Sequence, residues 1–427
     1  MTGGWNGAVP SLTAAQHDFL RVARAAAGGR VCDPPPLSWE AVLELAHTHK
    51  IADFLYPRVA AWPLPLQPPP ADRARWRSAF FGAVARYERS VVQTRGILSA
   101  LREAGVRVIP LKGIWLAERA YGDGACRRMN DIDLLVAPSG LGRARAVVER
   151  LGYATDDFSP GKAAGGRHLR FRKPDAPLPL ELHWRLLQDE KDGDGGDADG
   201  PVWEGLEEAS LHGVPVSVFP VEREIVYLAR HLLHHAWAVP LKSHLDLSLL
   251  CARFGAQVSA ARLAREADAW GIPFGTRFVL RVAADLFGEA PFAAVAPFLQ
   301  EAAACGDARR AALAAAVQIS SGSARITPAL AAALPRSRAG RLAAGFGRVW
   351  LTPDQIRLIY PRTVRRWGLP GGYLWRGADL ARRHGAALLG RRRIAPEEMA
   401  NSAIRHTLVK WIDTRDAELR GRADGRG

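Results

Sequence analysis

The spacing of apolar residues changes twice along this chain of 427 residues, and this change constrains the fold more than any other feature. Up to residue 104 apolar residues recur at helical spacing, and they do so again from Val221 onward. Between these regions lie short β-branched or alternating runs, which are typical of strands. We therefore predict an α+β fold with a small mixed-sheet core at residues 105–220. An N-terminal helical region (residues 1–104) and a C-terminal helical region with a basic tail (residues 221–427) are expected to flank it.

Four short runs in the central region predict the strands. They are Val106–Leu111, Asp131–Val136, His168–Arg172 and Leu180–Trp184. The last two are separated by a Pro-Asp-Ala-Pro turn at residues 174–177, so we expect them to pair. A long helix is predicted from Ala71 to Ala104, a shorter one from Leu141 to Leu151, and Ser38 is the expected N-cap of an earlier helix.

Two aspartates stand at the start of the second predicted strand. Asp131 and Asp133 are two residues apart, so on a strand their side chains leave the same face. Carboxylates held this close repel each other, and a divalent cation with oxygen ligands offsets the repulsion. Because Asp-x-Asp pairs are also common in surface turns, the neighbouring residues decide the interpretation. We predict that this pair binds Mg²⁺ or Mn²⁺.

Basic residues and a glycine precede the aspartates. Lys112 and Gly113 follow the first predicted strand, where a glycine lets phosphates approach the backbone N–H groups of a helix start. Lys112 offers a positive charge to the same phosphates. Arg127 and Arg128 come just before the carboxylates and could bind the same polyanion.

A third carboxylate lies on the last predicted strand. Glu181 and His183 share the face opposite Leu180 and Leu182. If this strand lies beside that of Asp131, Glu181 completes a site of three carboxylates. Such a residue can hold a second metal or take the proton of an attacking hydroxyl. The alternative is an edge strand with a solvated glutamate and a packed histidine.

Three segments together resemble a bacterial family of nucleotidyltransferases in the DNA polymerase beta-like superfamily. They are Leu111-Lys112-Gly113, the run Arg128-Met-Asn-Asp-Ile-Asp-Leu-Leu-Val, and Glu181-Leu-His-Trp. The match covers about residues 105–185, and some members of the family accompany lasso-peptide or polysaccharide genes. In this sequence the turn reads Lys-Gly where many members of the superfamily have Gly-Ser or Gly-Gly. The third acid is Glu where Asp is frequent.

The resemblance implies a nucleotidyltransferase core with two Mg²⁺ ions. Asp131 and Asp133 would be metal ligands, and Glu181 would be the third metal-binding and catalytic carboxylate. Lys112, Gly113 and Arg128 would contact the nucleotide phosphates.

The reaction implied is transfer of a nucleoside monophosphate from an NTP donor to an unknown hydroxyl or phosphate acceptor. The pathway implied is natural-product or polysaccharide biosynthesis. Two alternatives remain open: a non-catalytic nucleotide-binding or scaffold protein, and a toxin-like enzyme that adds nucleotides to RNA. The net charge of +15 is compatible with the second alternative, because a basic surface attracts anionic partners such as nucleic acid.

A histidine-rich segment follows the central region. His231 and His235 are one helical turn apart and could bind a transition metal, but no fourth ligand has suitable spacing. A histidine that contacts base, ribose or acceptor, and ordinary packing, are the alternatives.

Three further segments resemble known motifs without matching them. Residues 191–200 are rich in aspartate but lack the glutamate that ends an EF-hand loop. Residues 159–167 lack the first glycine and the Ser or Thr of a P-loop. Both are predicted to be loops. The basic and aromatic region with Trp367, Trp375 and Arg391–Arg393 predicts a solvated helical face, with nucleic-acid or membrane contact as the alternative.

The sequence predicts a cytoplasmic protein. No apolar stretch reaches the roughly 18 residues of a transmembrane helix, and the N-terminal segment does not have the pattern of a signal peptide. The four cysteines are far apart in the sequence, which is not the pattern of a disulfide framework.

Overall fold

The computed structural model describes residues 7, 9–155, 168–186, 201–318, 353, 356, 357, 360–388 and 396–423. The predicted loops at 159–167 and 191–200 lie outside the described residues, and so do Arg391–Arg393.

A five-stranded mixed sheet and a separate hairpin make up the β structure of the described residues. The strands are β1 Val108–Leu111, β2 Ile132–Val136, β3 Ala154–Thr155, β4 His168–Arg172, β5 Leu180–His183, β6 Glu207–Leu211 and β7 Val214–Val218. The sheet order is β1-β2-β5-β4-β3, and β6 pairs with β7. Only the β2–β5 pair of the sheet is parallel, and this pair positions the acidic residues.

Helices precede, separate and follow the strands. They are α1 Ala14–Ala27, α2 Trp39–Thr48, α3 Ala52–Ala60, α4 Pro70–Glu103, α5 Gly113–Tyr121, α6 Leu141–Arg150, α7 Val221–His234, α8 Lys242–Phe254, α9 Ala260–Ala269, α10 Pro273–Phe287, α11 Ala296–Ala303, α12 Gly306–Val317, α13 Pro361–Leu388 and α14 Pro396–Ala423. Ser38 caps α2 as predicted, because its side chain accepts a hydrogen bond from the Ala41 N–H at 3.2 Å. None of the described helices is both long and apolar enough to cross a bilayer.

The two faces of the sheet pack against different layers. Ile132, Leu134 and Val136 alternate along β2 and pack with residues of α4 and α6. Leu135 points the other way, into a large apolar cluster that includes Phe19 of α1 and residues of α7, α8 and α10. The helices before and after the sheet therefore share one core. Asp133, which alternates with the apolar set, lies on this second face.

The predicted fold class is confirmed: a small mixed sheet is flanked by helices. The four predicted strands are present with ends displaced by at most two residues, and β4 and β5 pair antiparallel as expected. Strand β3 and the β6–β7 hairpin were not predicted. Strand β3 has only two residues and β6 exposes most of its side chains, so neither carries a clear alternating pattern, whereas the alternating valines of β7 are a signal that could have indicated the hairpin. The boundaries of the three predicted regions stay predictions.

Candidate active site

The parallel pairing of β2 and β5 brings the three predicted carboxylates together. Asp133 lies directly opposite Glu181 in the register of the two strands. Asp131 immediately precedes β2, and one oxygen from each of the three carboxylates lies within 4.8 Å of the other two. Asp133 and Glu181 are almost fully buried, with 3% and 6% of their surfaces exposed. Buried carboxylates at this spacing suit a divalent cation with oxygen ligands.

The charges of this cluster are not balanced. Burial, and then repulsion from Asp133 and Glu181, raise the pKa of Asp131 to about 6. Burial also acts to raise the pKa of Asp133, but Lys112 and a hydrogen bond from His183 hold it well below its usual value. The cluster therefore carries negative charge that a bound cation would stabilise.

Lys112 occupies a strained turn between β1 and α5. Its φ of 38° and ψ of −122° lie outside the regions that residues with a side chain usually adopt. Such strain costs on the order of 1–3 kcal/mol and is concentrated at functional sites. The turn directs the Lys112 ammonium group to 3.5 Å from Oδ2 of Asp133.

Gly113 begins α5 and lies against the backbone that leads into β2. A Cβ at this position would lie 3.3 Å from the carbonyl oxygen of Asp131, closer than most such contacts. A glycine here therefore brings the start of α5 close to the carboxylates. The resulting helix N-terminus lines the same pocket as Asp131.

An open pocket of about 190 Å³ lies in front of Asp131 and Asp133. Helices α7 and α8 form its opposite side. The charged and histidine residues that line it are Lys50, Lys112, Arg127, Asp131, Asp133, His231, His235, Lys242 and Asp246. Positively charged groups therefore face the acidic cluster across a small space, which suits a polyanion bound together with a cation.

The two adjacent arginines have different positions. Arg127 is buried and binds Asp246 of α8 through two hydrogen bonds, with Nε–Oδ1 and Nη2–Oδ2 distances of 2.9 and 2.7 Å. Its Nη1 also donates to the carbonyl oxygen of Gly113 at 3.1 Å. The Arg128 side chain instead lies 3.7 Å from Asp53 and lines a neighbouring pocket. The structure thus does not bring Arg128 to the carboxylates, and its predicted phosphate contact stays a prediction.

Lys242 was not identified from the sequence. It lies one turn before Asp246 on α8 and donates a hydrogen bond to the carbonyl oxygen of Arg128 at 2.7 Å. Burial, and then repulsion by Arg127, lower the pKa of Lys242 to about 7. The Lys-x-x-x-Asp spacing places both residues on one helix face and is the signal that could have indicated it.

The two histidines that line the pocket lie at the C-terminal end of α7 and pack against each other. The ring centroids of His231 and His235 are 4.5 Å apart. Burial, followed by repulsion from Lys112, lowers the pKa of His231 well below its usual value, so its ring is neutral at neutral pH. Within the described residues, the side-chain groups arranged to hold a metal lie on or next to the strands, and they do not include His231 or His235.

Comparison with known proteins assigns the chain to a family. The sequence profile of a family called "Uncharacterised nucleotidyltransferase" matches residues 35–288, more than half of the chain. The chain belongs to this nucleotidyltransferase family. The matched region begins before α2 and ends just after α10, so it contains both the strands with the carboxylates and the helices opposite them.

Two further comparisons say less about the family of this chain. The solved structure of the antibiotic-resistance factor ANT(2'')-Ia is similar over 42% of this chain and 90% of its own, with 20% identity and a TM-score of 0.30. No curated protein sequence matches the chain significantly.

Proposed function

We propose that this nucleotidyltransferase moves a nucleoside monophosphate from an NTP to a hydroxyl or phosphate acceptor and releases pyrophosphate. The observation that carries the proposal is the strand register that sets Asp133 opposite Glu181, next to Asp131 and Lys112. Membership of the family supplies the reaction class. We further propose that the reaction takes place in the cytoplasm.

Asp131, Asp133 and Glu181 are the proposed ligands of Mg²⁺ or Mn²⁺. Bound divalent ions would activate the acceptor oxygen and neutralise charge on the phosphate that is attacked. Hard oxygen ligands suit these cations, and the clustered carboxylates provide only such ligands. Glu181, beside the pair, would accept the proton of the attacking hydroxyl.

The donor phosphates are proposed to bind between the two sides of the pocket. Lys112 and the N-terminus of α5 at Gly113 lie next to the carboxylates, and Lys50 and Lys242 line the same space. These groups would orient the leaving pyrophosphate. Arg128 would contact the part of a substrate that extends into the adjoining pocket, since both pockets share Arg127 and Met129.

The size of the pocket fits this division of roles. Its volume of about 190 Å³ is below the roughly 300–1,000 Å³ that whole small-molecule ligands usually occupy. The pocket would therefore hold the phosphates and metal ions, and base and acceptor would lie outside it.

A transfer assay tests the proposal. The protein is incubated with Mg²⁺ and each of the four NTPs, labelled at the α-phosphate, together with RNA, oligosaccharides, peptides or phosphorylated metabolites as acceptors. We expect release of pyrophosphate and transfer of label to one class of acceptor. Asp131→Asn/Asp133→Asn should abolish both, whereas Asp268→Asn, an exposed aspartate on α9, should not.

The other outcomes of this assay have defined meanings. Transfer that persists in the double variant would contradict the proposed roles of the two aspartates. Metal-dependent NTP binding without transfer to any acceptor would favour a nucleotide-binding or scaffold protein. Transfer to RNA would favour the toxin-like reaction.

A further inference from the structure

Two histidines lie beside the acidic cluster, on strands β4 and β5. His168 of β4 is directly opposite His183 of β5 in the strand register, and their ring centroids are 4.7 Å apart. Oε2 of Glu181 lies 3.5 Å from Nε2 of His168 and 3.7 Å from Nε2 of His183. Both imidazoles therefore converge on the same carboxylate oxygen.

Asp133 contacts one of these two histidines. Oδ1 of Asp133 lies 2.9 Å from Nε2 of His183. The second oxygens of the two carboxylates face other partners: Oδ2 of Asp133 is 3.5 Å from Lys112, and Oε1 of Glu181 is 3.8 Å from Nε of Arg170. One ligand atom each from His168, His183 and Glu181 therefore lies within 4.8 Å of the other two, and Asp133 adds its hydrogen bond to His183.

The two distances from Glu181 to the histidines approach the edges of a tetrahedral metal site. With metal–ligand bonds of about 2.0–2.2 Å, the ligand atoms of a tetrahedron are about 3.3–3.6 Å apart. The two Glu181–histidine distances of 3.5 and 3.7 Å lie close to this range and are longer than good N–H···O hydrogen bonds. The shorter contact between Asp133 and His183 is a hydrogen bond, and a bound ion would replace its proton.

We propose that His168, His183 and Glu181 form a second cation site, which binds a transition-metal ion of the zinc class and leaves a fourth position for water. Imidazole ligands favour zinc and similar ions over magnesium, whereas the all-oxygen group of Asp131, Asp133 and Glu181 favours magnesium or manganese. Glu181 belongs to both groups, so an ion in one site alters the affinity of the other. Binding at this second site requires only its three residues and does not depend on the proposed transfer reaction.

Cobalt provides a direct probe of this site. Protein freed of metal with a chelator is titrated with Co²⁺, which absorbs strongly in the visible range when its coordination is tetrahedral, and then with Zn²⁺. We expect one equivalent of Co²⁺ to give this absorption and Zn²⁺ to displace it. His168→Ala and His183→Ala should each weaken Co²⁺ binding by at least about tenfold, since loss of a residue that merely supports a metal ligand already costs about 10–100-fold.

Two histidine variants serve as matched controls. His17→Ala removes an exposed histidine of α1, and His235→Ala disrupts the pair of His231 and His235 at the end of α7. Neither should change the cobalt spectrum. The proposal is overturned if wild type shows no tetrahedral absorption, if both strand variants bind Co²⁺ as wild type does, or if only His235→Ala loses binding.

Folding and the oxygen site need separate checks. Circular dichroism establishes that each variant is folded, and His168→Ala, on the strand farther from the core of the pocket, carries the test if His183→Ala does not fold. Asp131→Asn removes a ligand of the oxygen group only, so it should retain the cobalt spectrum. If Asp131→Asn keeps the cobalt spectrum but loses Mg²⁺-dependent NTP binding, the two sites are distinct. If this variant loses the cobalt spectrum, the two sites are not distinct.

Discussion

The two sides of the pocket are held in place by different interactions. On the strand side, Asp133 and Glu181 are fixed by backbone pairing, since their strands are neighbours in the sheet. On the helix side, Lys242 and His231 come from α8 and α7, whose positions depend on side-chain packing. Backbone hydrogen bonds do not depend on which side chains are present. The comparison therefore predicts that substitutions on the strand side change chemistry, and that some on the helix side also change stability.

One buried ion pair joins the two sides. Arg127, four residues before Asp131, binds Asp246 of α8, and the Tyr121 hydroxyl donates to the same carboxylate at 2.7 Å. Both Arg127 and Asp246 are buried, with 5% and 2% of their surfaces exposed. Removal of one partner from such a pair leaves the other charged group buried without compensation.

The largest effect on stability is expected for Asp246→Asn. The variant leaves the buried Arg127 without its counter-charge, so the free energy of unfolding should fall by about 3–5 kcal/mol. Urea denaturation measures this free energy of unfolding. Asp268→Asn, on the surface of α9, should change this free energy by no more than about 0.5 kcal/mol. Equal stabilities for the two variants would mean that the ion pair does not hold the helix side in place.

Lys112→Met tests the cation on the strand side. Loss of a charged hydrogen bond to phosphate is worth about 1.5–3 kcal/mol, so NTP affinity with Mg²⁺ should fall about 10–100-fold. Isothermal titration calorimetry measures this affinity. Lys173→Met, an exposed lysine that follows β4, is the matched control. An unchanged affinity in Lys112→Met would remove Lys112 from the phosphate site.

The cation on the helix side should show a pH dependence. Because the pKa of Lys242 is lowered to about 7, this group is charged below that pH and loses its charge above it. NTP affinity should therefore decrease by about tenfold between pH 7 and 9, which corresponds to about 1.4 kcal/mol. Lys242→Arg keeps its charge over this range, so its affinity should stay nearly constant. Parallel pH profiles for wild type and variant would show that Lys242 does not contact the phosphates.

The smallest effect is expected for His231→Gln. The buried His231 ring is neutral at neutral pH and can offer phosphate only a neutral hydrogen bond. Such a bond contributes about 0.5–1 kcal/mol, so NTP affinity should fall only about two- to fivefold. A loss as large as that of Lys112→Met would give this histidine a direct role that the comparison of the two sides does not predict.

The strand side could be predicted from the sequence because its signals are local. Alternation with Leu134 and Val136 places Asp133 on one face, and alternation with Leu180 and Leu182 does the same for Glu181. The prediction assumed that these two strands are neighbours, and the structure confirms that they pair. The His168–Glu181 contact also required the strand pairing to be known.

The helix side could not be predicted in this way. Sequence alone cannot show which of two adjacent arginines turns into the pocket. The choice depends on Asp246, which binds Arg127 from 119 positions away in the chain. Lys242 has a lowered pKa only because packing buries it near Arg127, and no local pattern records such burial. The contact between Gly113 and the Asp131 carbonyl oxygen is likewise a result of tertiary packing.

The most direct test of the central claim is the binding of the four NTPs by calorimetry, with and without Mg²⁺, to wild type and to Asp131→Asn/Asp133→Asn. We predict that at least one NTP binds wild type only in the presence of Mg²⁺. The double variant should lose at least about 100-fold in affinity, or about 2.7 kcal/mol, because its metal ligands are gone. NTP binding that is equally strong without Mg²⁺, or unchanged in the double variant, would contradict a nucleotide site built around these carboxylates.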